Sequence, residues 1–181
     1  RRVLFRSGPE PFVETVNRLE QATGRVILLG VGKSGIIARK IAATMASTGT
    51  PAQYIHPTDA AHGDMGNMVA GDVLVVLSKS GASDELKPIF AHARRLALPL
   101  IAITADLDSP LAQSADIVLP IPALPEAGSP HGAPTTSTTL MLVLGDAIAM
   151  ELMARKGLAA DEFGVLHPAG ALGAALNNRR A

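Results

Sequence analysis

Five short apolar runs recur along the chain: RVILLG (25–30), AQYI (52–55), DVLVVLS (72–78), PLIAIT (99–104) and DIVLPI (116–121). Most are continuous rather than alternating, the mark of strands buried on both faces. Helical periodicity fills the gaps between them. Phe12, Val16 and Leu19 share a stripe within residues 9–23, ahead of a stop at Gly24, and Ile37, Ile41 and Met45 share one within 34–48. From Ser83, the stretch SDELKPIFAHARRLAL is acidic early and basic late, as the helix dipole prefers. Pro88 falls within its first turn, where a missing N–H is tolerated. Residues 109–115 give a further short helix. Strands alternating with helices at this pitch predict an α/β fold, a five-stranded parallel sheet flanked by helices on both faces.

The rhythm then changes. PALPEAGSPHGAP (122–134) is a Pro/Gly-rich loop, and residues 135–157 form a long helix that is apolar nearly all round, hence central core or subunit interface. The tail, 159–178, reads as two short helical pieces broken at His167-Pro168. There is no internal repeat, and residues 8–181 read as one domain.

Composition narrows the function. The 16 basic and 16 acidic residues balance, so neither nucleic acid nor an anionic membrane surface is indicated as partner. Aromatic residues are scarce and Trp is absent, which removes stacking platforms for single strands. With no Cys, disulfides, thiolate metal sites and a thiol nucleophile are excluded, and a reducing compartment is permitted. The strand-sized apolar runs predict no membrane span, and the N-terminus lacks the apolar core of a signal peptide, so a cytoplasmic location is expected. RRVLFRS (1–7) resembles the in-frame translation of a sequencing-library adapter; these residues are expected to be a non-native artefact, with the native chain truncated before Gly8.

Two loops carry the candidate chemistry. GVGKSG (30–35) leaves a strand and opens a helix. The triphosphate-binding pattern G-x-x-x-x-G-K-[ST] fails, because the position five before Gly32 is Ile27. The dinucleotide fingerprint lacks its acidic partner at the end of the second strand, where YIHPTD offers His56 and Pro57, with Asp59 the nearest acid. A tight glycine turn accounts for the pattern, yet Lys33 adds a long cation projecting from the sheet's carboxyl edge. The second loop, LSKSGASDEL (77–86), sets Ser78, Ser80 and Ser83 around Gly81 at a helix start. Capping accounts for one serine; hydroxyls plus free amides at a helix N-terminus suit a phosphate monoester. APTTSTT (133–139) opens the long helix with another hydroxyl cluster that includes Thr135 and Thr136. His56, His62 and Asp64 fit no strong metal-ligand spacing, and no metal is expected.

GVGKSGIIARKIAATMASTGTPAQYIHPTDAAHGDMG, SKSGASDEL, APTTSTT and HPAGALG together resemble the sugar isomerase (SIS) domain, within it the D-arabinose 5-phosphate isomerase family, over roughly residues 24–176. The resemblance implies a flavodoxin-like fold and interconversion of D-ribulose 5-phosphate and D-arabinose 5-phosphate, the entry to Kdo for lipopolysaccharide or capsule. It implies roles for Lys33, His62, Glu85, Glu126 and His167, and phosphate binding by Ser78, Ser80 and Ser83, with Gly32, Ser34, Gly81, Thr135 and Thr136 lining the substrate site. It also implies a homotetramer with shared active sites, to which a neighbouring subunit donates His167. Members often carry a following pair of CBS modules; this chain stops at NNRRA, so a stand-alone or shortened form is expected. One departure falls in EAGSPHGAPT, where Gly128, Pro130 and His131 replace a Cys-Pro-Leu-Gly-type run.

Aldose–ketose isomerisation needs a base, a cation or donor for the developing oxyanion, and no cofactor. Lys33 suits the oxyanion, Glu85 the orientation of Lys33 or of sugar hydroxyls, and Glu126 and His167 proton transfer. Which of the two serves C1/C2 and which opens the ring stays open. The competing readings are a non-catalytic phosphosugar-sensing module and an isomerase of another phosphosugar.

Overall fold

Runs such as VILLG and VLVVL have no polar face to give to water, so they are stable only between two layers of helix. The computed structural model, which describes residues 8–128 and 131–169, shows that arrangement. Strands β1 (Val26–Gly30), β2 (Ala52–Tyr54), β3 (Val73–Leu77), β4 (Leu100–Thr104) and β5 (Ile117–Pro120) form one parallel sheet in the order β2-β1-β3-β4-β5. Along β1, Val26 and Leu28 face one layer while Ile27 and Leu29 face the other, and β3 and β4 alternate in the same way. The first layer holds α1 (Glu10–Glu20), α2 (Gly32–Ser47) and α6 (Thr136–Lys156); the second holds α3 (Pro57–Ala61), α4 (Lys87–Leu96) and α5 (Pro110–Ser114). Each fully buried Leu or Ile contributes about 1.5–3 kcal/mol relative to exposure.

Polar groups pin the edges of this core. Asp72, 1% exposed, accepts the Arg25 N–H at 2.7 Å and the Val69 N–H at 2.9 Å, which ties the entry of β1 to that of β3. Asp116 does the same for β4 by accepting the Leu100 N–H at 2.8 Å. The long α6 lies along α2, with Gly145 over the Ile41 side chain and the Lys40 ammonium 2.6 Å from Asp146 Oδ1. By length and composition α6 would also suffice to cross a membrane. Its Met141, Leu144, Ile148, Ala149 and Leu152 instead lie in the core, as the all-round apolar pattern allowed.

The structure shifts several boundaries. The second helix opens at Gly32 rather than Ser34, placing Lys33 in its first turn. Ser83 does not cap a helix; a 3-10 turn, Asp84–Leu86, intervenes before α4. HPTDAAHGDMG contains α3 and a second 3-10 turn, Asp64–Asn67. Pro57 pre-sets that short helix and His56 Nδ1 accepts the Thr58 N–H at 3.2 Å, a local device too brief to show as periodicity. In the tail, α7 (Ala160–Leu166) ends at His167 before Pro168. The expectations for residues 1–7 and for the second tail piece lie outside the described residues.

Between β1 and α2 the packing leaves no room. A Cβ on Gly35 would stand 2.5 Å from the Gly30 carbonyl oxygen and 2.6 Å from the Tyr54 hydroxyl, which itself donates to that carbonyl at 3.0 Å. Overpacking against backbone costs about 3 kcal/mol, so Gly35→Val is expected to lower Tm by roughly 6–12 °C in calorimetry. An unchanged Tm would mean that helix and strand are not in this contact.

Candidate active site

The strand order reverses between β1 and β3, and open α/β sheets bind ligands at such a switch point, outside the carboxyl ends of the strands. Gly30 and Leu77 are register partners there, so the turn carrying Lys33 and the loop carrying Ser78, Ser80 and Ser83 leave the sheet side by side. Val31 caps α2 without a side-chain bond; Gly32 and Lys33 follow at its positive end, with Ser34 half-buried behind them. Lys33 is exposed and its side chain makes no bond with other described residues.

The loop after β3 is built before any ligand arrives. Ser78, 7% exposed, accepts the Gly81 N–H at 3.1 Å. The Gly81 carbonyl accepts the Leu111 N–H at 3.0 Å, and the Lys79 carbonyl accepts the Ala105 N–H at 3.0 Å. Gly81 has φ +60°, and a Cβ there would meet Ser109 Cβ at 2.6 Å, so only glycine fits. Ser80 makes a long bond of 3.4 Å from the Ala82 N–H, and Ser83 makes no side-chain bond with other described residues. Ser80 is thus exposed and Ser83 half-buried on a fixed loop beside the crevice. Glu85 lies exposed in the 3-10 turn that follows, against which α3 packs. His62 closes α3 as its C-cap, exposed on the same flank. Among the described residues no cluster of three or more metal-ligating side chains is found.

Glu126 reaches the crevice from the loop after β5. Its carboxylate is 4% exposed and surrounded by donors: Lys79 Nζ at 2.7 Å and Ser137 Oγ at 2.6 Å on Oε1, the Thr135 N–H at 2.8 Å and the Ser137 N–H at 3.2 Å on Oε2. The Lys79 ammonium, with the Ser137 hydroxyl and the Thr135 amide after it, holds this carboxyl far below the usual Glu range, so it stays ionised. Glu126 thus occupies the positive end of α6. Thr135 and Thr136 bind the Ala127 N–H with their hydroxyls, at 2.8 and 3.1 Å, and brace the loop rather than stand free. Sequence reasoning missed Lys79 and Ser137; the only signal was their place inside the SKSG and TTSTT motifs.

His167 lies elsewhere in the chain. The first layer runs α2 and α6 from the crevice to the opposite edge, where Lys156 Nζ donates to the Gly49 carbonyl at 3.2 Å and to Thr50 Oγ1 at 2.9 Å. At about 1.5 Å per residue α6 spans roughly 30 Å, while α7 adds only about 10 Å, too short to bring His167 back to Lys33. The His167 ring stacks on Phe163 with centroids 4.1 Å apart, and Nδ1 lies 2.9 Å from the Phe163 carbonyl oxygen. A carbonyl only accepts, so Nδ1 donates the hydrogen of this bond, and Nε2 makes no bond with other described residues. One chain therefore assembles Lys33, the serine loop, Glu85 and Glu126, but not His167. A cleft of about 350 Å³ does open at the amino edge, lined by Arg18, Arg94, Ser114 and Asp116, yet it lies away from every one of these groups.

A carboxyl held below its ordinary value of 4.5 stabilises the fold fully above that value, and the contribution is lost as pH falls toward the depressed one. The loss of stability below about pH 4.5 is accordingly expected to be steeper in the wild type than in Glu126→Gln, by urea unfolding across pH. Parallel curves would show that Glu126 is not held in this way.

The geometry agrees with what the chain is similar to. Arabinose 5-phosphate isomerase KdsD of Pseudomonas aeruginosa is 44% identical over 171 residues, 94% of this chain and 52% of that protein. GutQ of Salmonella typhimurium, also an arabinose 5-phosphate isomerase, is 46% identical over 169 residues, 93% of this chain and 53% of its own length. The chain spans about half the length of these curated relatives. Among solved structures, c3406 of E. coli CFT073 in complex with arabinose 5-phosphate superposes with a TM-score of 0.87 at 40% identity, covering 91% of this chain and 88% of that one. The family model for the SIS domain matches residues 18–151, carrying both crevice loops and most of α6, and the chain belongs to the SIS domain family.

Proposed function

We propose that the protein interconverts D-ribulose 5-phosphate and D-arabinose 5-phosphate through an enediolate. The observation behind this reading is the pairing, at the switch point, of a lysine without a partner among the described residues and a preformed hydroxyl loop, in a chain whose relatives bear that activity in their names. The phosphate monoester sits on Ser80, Ser83 and the loop amides, with Ser78 as the brace beneath. Lys33 lies over the carbonyl end and stabilises the enediolate oxygens. A base removes the C1 proton of the ketose, and the same proton or one from water returns to C2, so the step balances with no cofactor.

The sequence pointed to Glu126 and His167 as the proton carriers. The donors gathered on Glu126 argue for a fixed charge there instead, and proton transfer falls to His167 Nε2 and Glu85. His62 and Ser34 line the sugar's flank. Because α7 ends far from Lys33, His167 serves the site of a neighbouring subunit, and the protein is a homo-oligomer, most simply a tetramer with shared sites. Ile36 (61% exposed), Val143 (51%), Met150 (46%) and Val165 (69%) offer apolar surface for that association. The Kdo route and a cytoplasmic location belong to the same proposal, in keeping with the substrate.

Incubation with ribulose 5-phosphate is expected to yield arabinose 5-phosphate. Lys33→Ala should lower kcat by about 10²–10³-fold, and His167→Ala by at least about 10²-fold. A folded wild type that binds the sugar without turnover would contradict the enzyme reading and favour a sensing module. Light scattering of a fully active monomer would remove the shared site.

A further inference from the structure

Two walls of the crevice come from distant parts of the chain: the loop after β3 and the entrance to α6, with the loop after β5 that leads to it. Each is braced within itself, the first by Ser78 on the Gly81 N–H and the second by Thr135 and Thr136 on the Ala127 N–H. Among the described residues one side-chain bridge joins them, Lys79 Nζ to Glu126 Oε1 at 2.7 Å. Its two ends are unequal. Lys79 is 40% exposed on its side chain and Glu126 only 4%, so the acid is the fixed post and the lysine the arm that reaches it. The arm's root is fixed too, since the Lys79 carbonyl accepts from Ala105 N–H and from Thr104 Oγ1 at the end of β4.

The two lysines of the crevice therefore differ. Lys33 has no partner among the described residues and is available to substrate; Lys79 is neutralised by Glu126 and unavailable as a free cation. We infer that Lys79 is a positioning residue, a strut that holds the phosphate-gripping loop in register with the mouth of α6 so that both walls meet the sugar phosphate as one unit. This rests on the active-site reading above. Breaking the strut misaligns the phosphate loop with the rest of the site, which weakens ground state and transition state alike and therefore raises KM more than it lowers kcat. Arginine preserves the charge and reach and should restore the link, whereas methionine keeps only the stem.

The test uses Lys79→Met, Lys79→Arg, Glu126→Gln and the double variant Lys79→Met/Glu126→Gln, with two readouts. In turnover of ribulose 5-phosphate, Lys79→Met is expected to raise KM about tenfold with kcat within about threefold, and the double variant to be no worse than the poorer single one, because both remove one interaction. Lys79→Arg should stay within about threefold of wild type in both constants. In substrate-free protein, amide hydrogen exchange should show that each single change acts across the gap: Lys79→Met speeds exchange at Ala127, Thr135 and Ser137, and Glu126→Gln speeds it at Gly81. Exchange changes confined to the mutated loop, additive kinetic losses, or an unchanged KM in Lys79→Met would overturn the inference. A wild type without turnover would instead remove the isomerase reading, while exchange alone would still decide whether Lys79 couples the two walls.

Discussion

Gly30 and Leu77 sit opposite one another in the centre of the sheet, and that register governs the crevice. Strand pairing is two-residue periodic, so a slip of one position would turn Leu28 and Val75 out of their layer and Ile27 and Leu74 out of theirs. Burial on both faces forbids it. The carboxyl ends of β1 and β3 are thereby fixed level, and the helices that leave them diverge to opposite layers, α2 to one and α4 to the other. The gap between them follows from topology, and glycine at 30 and 35 keeps α2 close enough for its first turn to stay at the rim.

Charge within the gap is divided by what surrounds each group. A helix N-terminus attracts anions, and two of them open here. The first, at Gly32–Lys33, carries no acid of its own. The second, at Thr135–Ser137, is filled from within the protein by Glu126. An anion entering the crevice consequently meets an attractive field near α2 and the β3 loop, while the mouth of α6 is already occupied by Glu126 paired with Lys79. In the proposed function this asymmetry directs the ester of the sugar to the serine loop and its carbonyl carbons toward Lys33.

How much of this was legible follows from the length scale of each signal. Strands β1, β3 and β4 announced themselves because burial on both faces needs unbroken apolar runs, and α6 because nearly every side of it is apolar. The turn at Gly81 was readable as a hydroxyl-rich loop, since glycine and serine are what such a turn requires. The Asp84–Leu86 turn and α3 were not, because a 3-10 turn and a five-residue helix are too short for a periodic pattern. The role of Glu126 was hidden for a different reason. Its donors come from residues 79, 135 and 137, and only folding brings the loop after β3 to the mouth of α6. The placement of His167 was equally beyond reading within one chain, as it depends on which way α6 runs.

The chain's own course makes the largest demand. A parallel α2–α6 pair carries the C-terminal segment away from the crevice, and the proposed sharing of sites between copies rests on that course of the chain. The direct measurement is complementation: Lys33→Ala chains and His167→Ala chains, each inactive alone, are dissociated, mixed in equal amounts and reassembled. If sites are built from two subunits, random pairing should restore about a quarter of the wild-type rate. Mixed assemblies no more active than the separate variants would contradict the account.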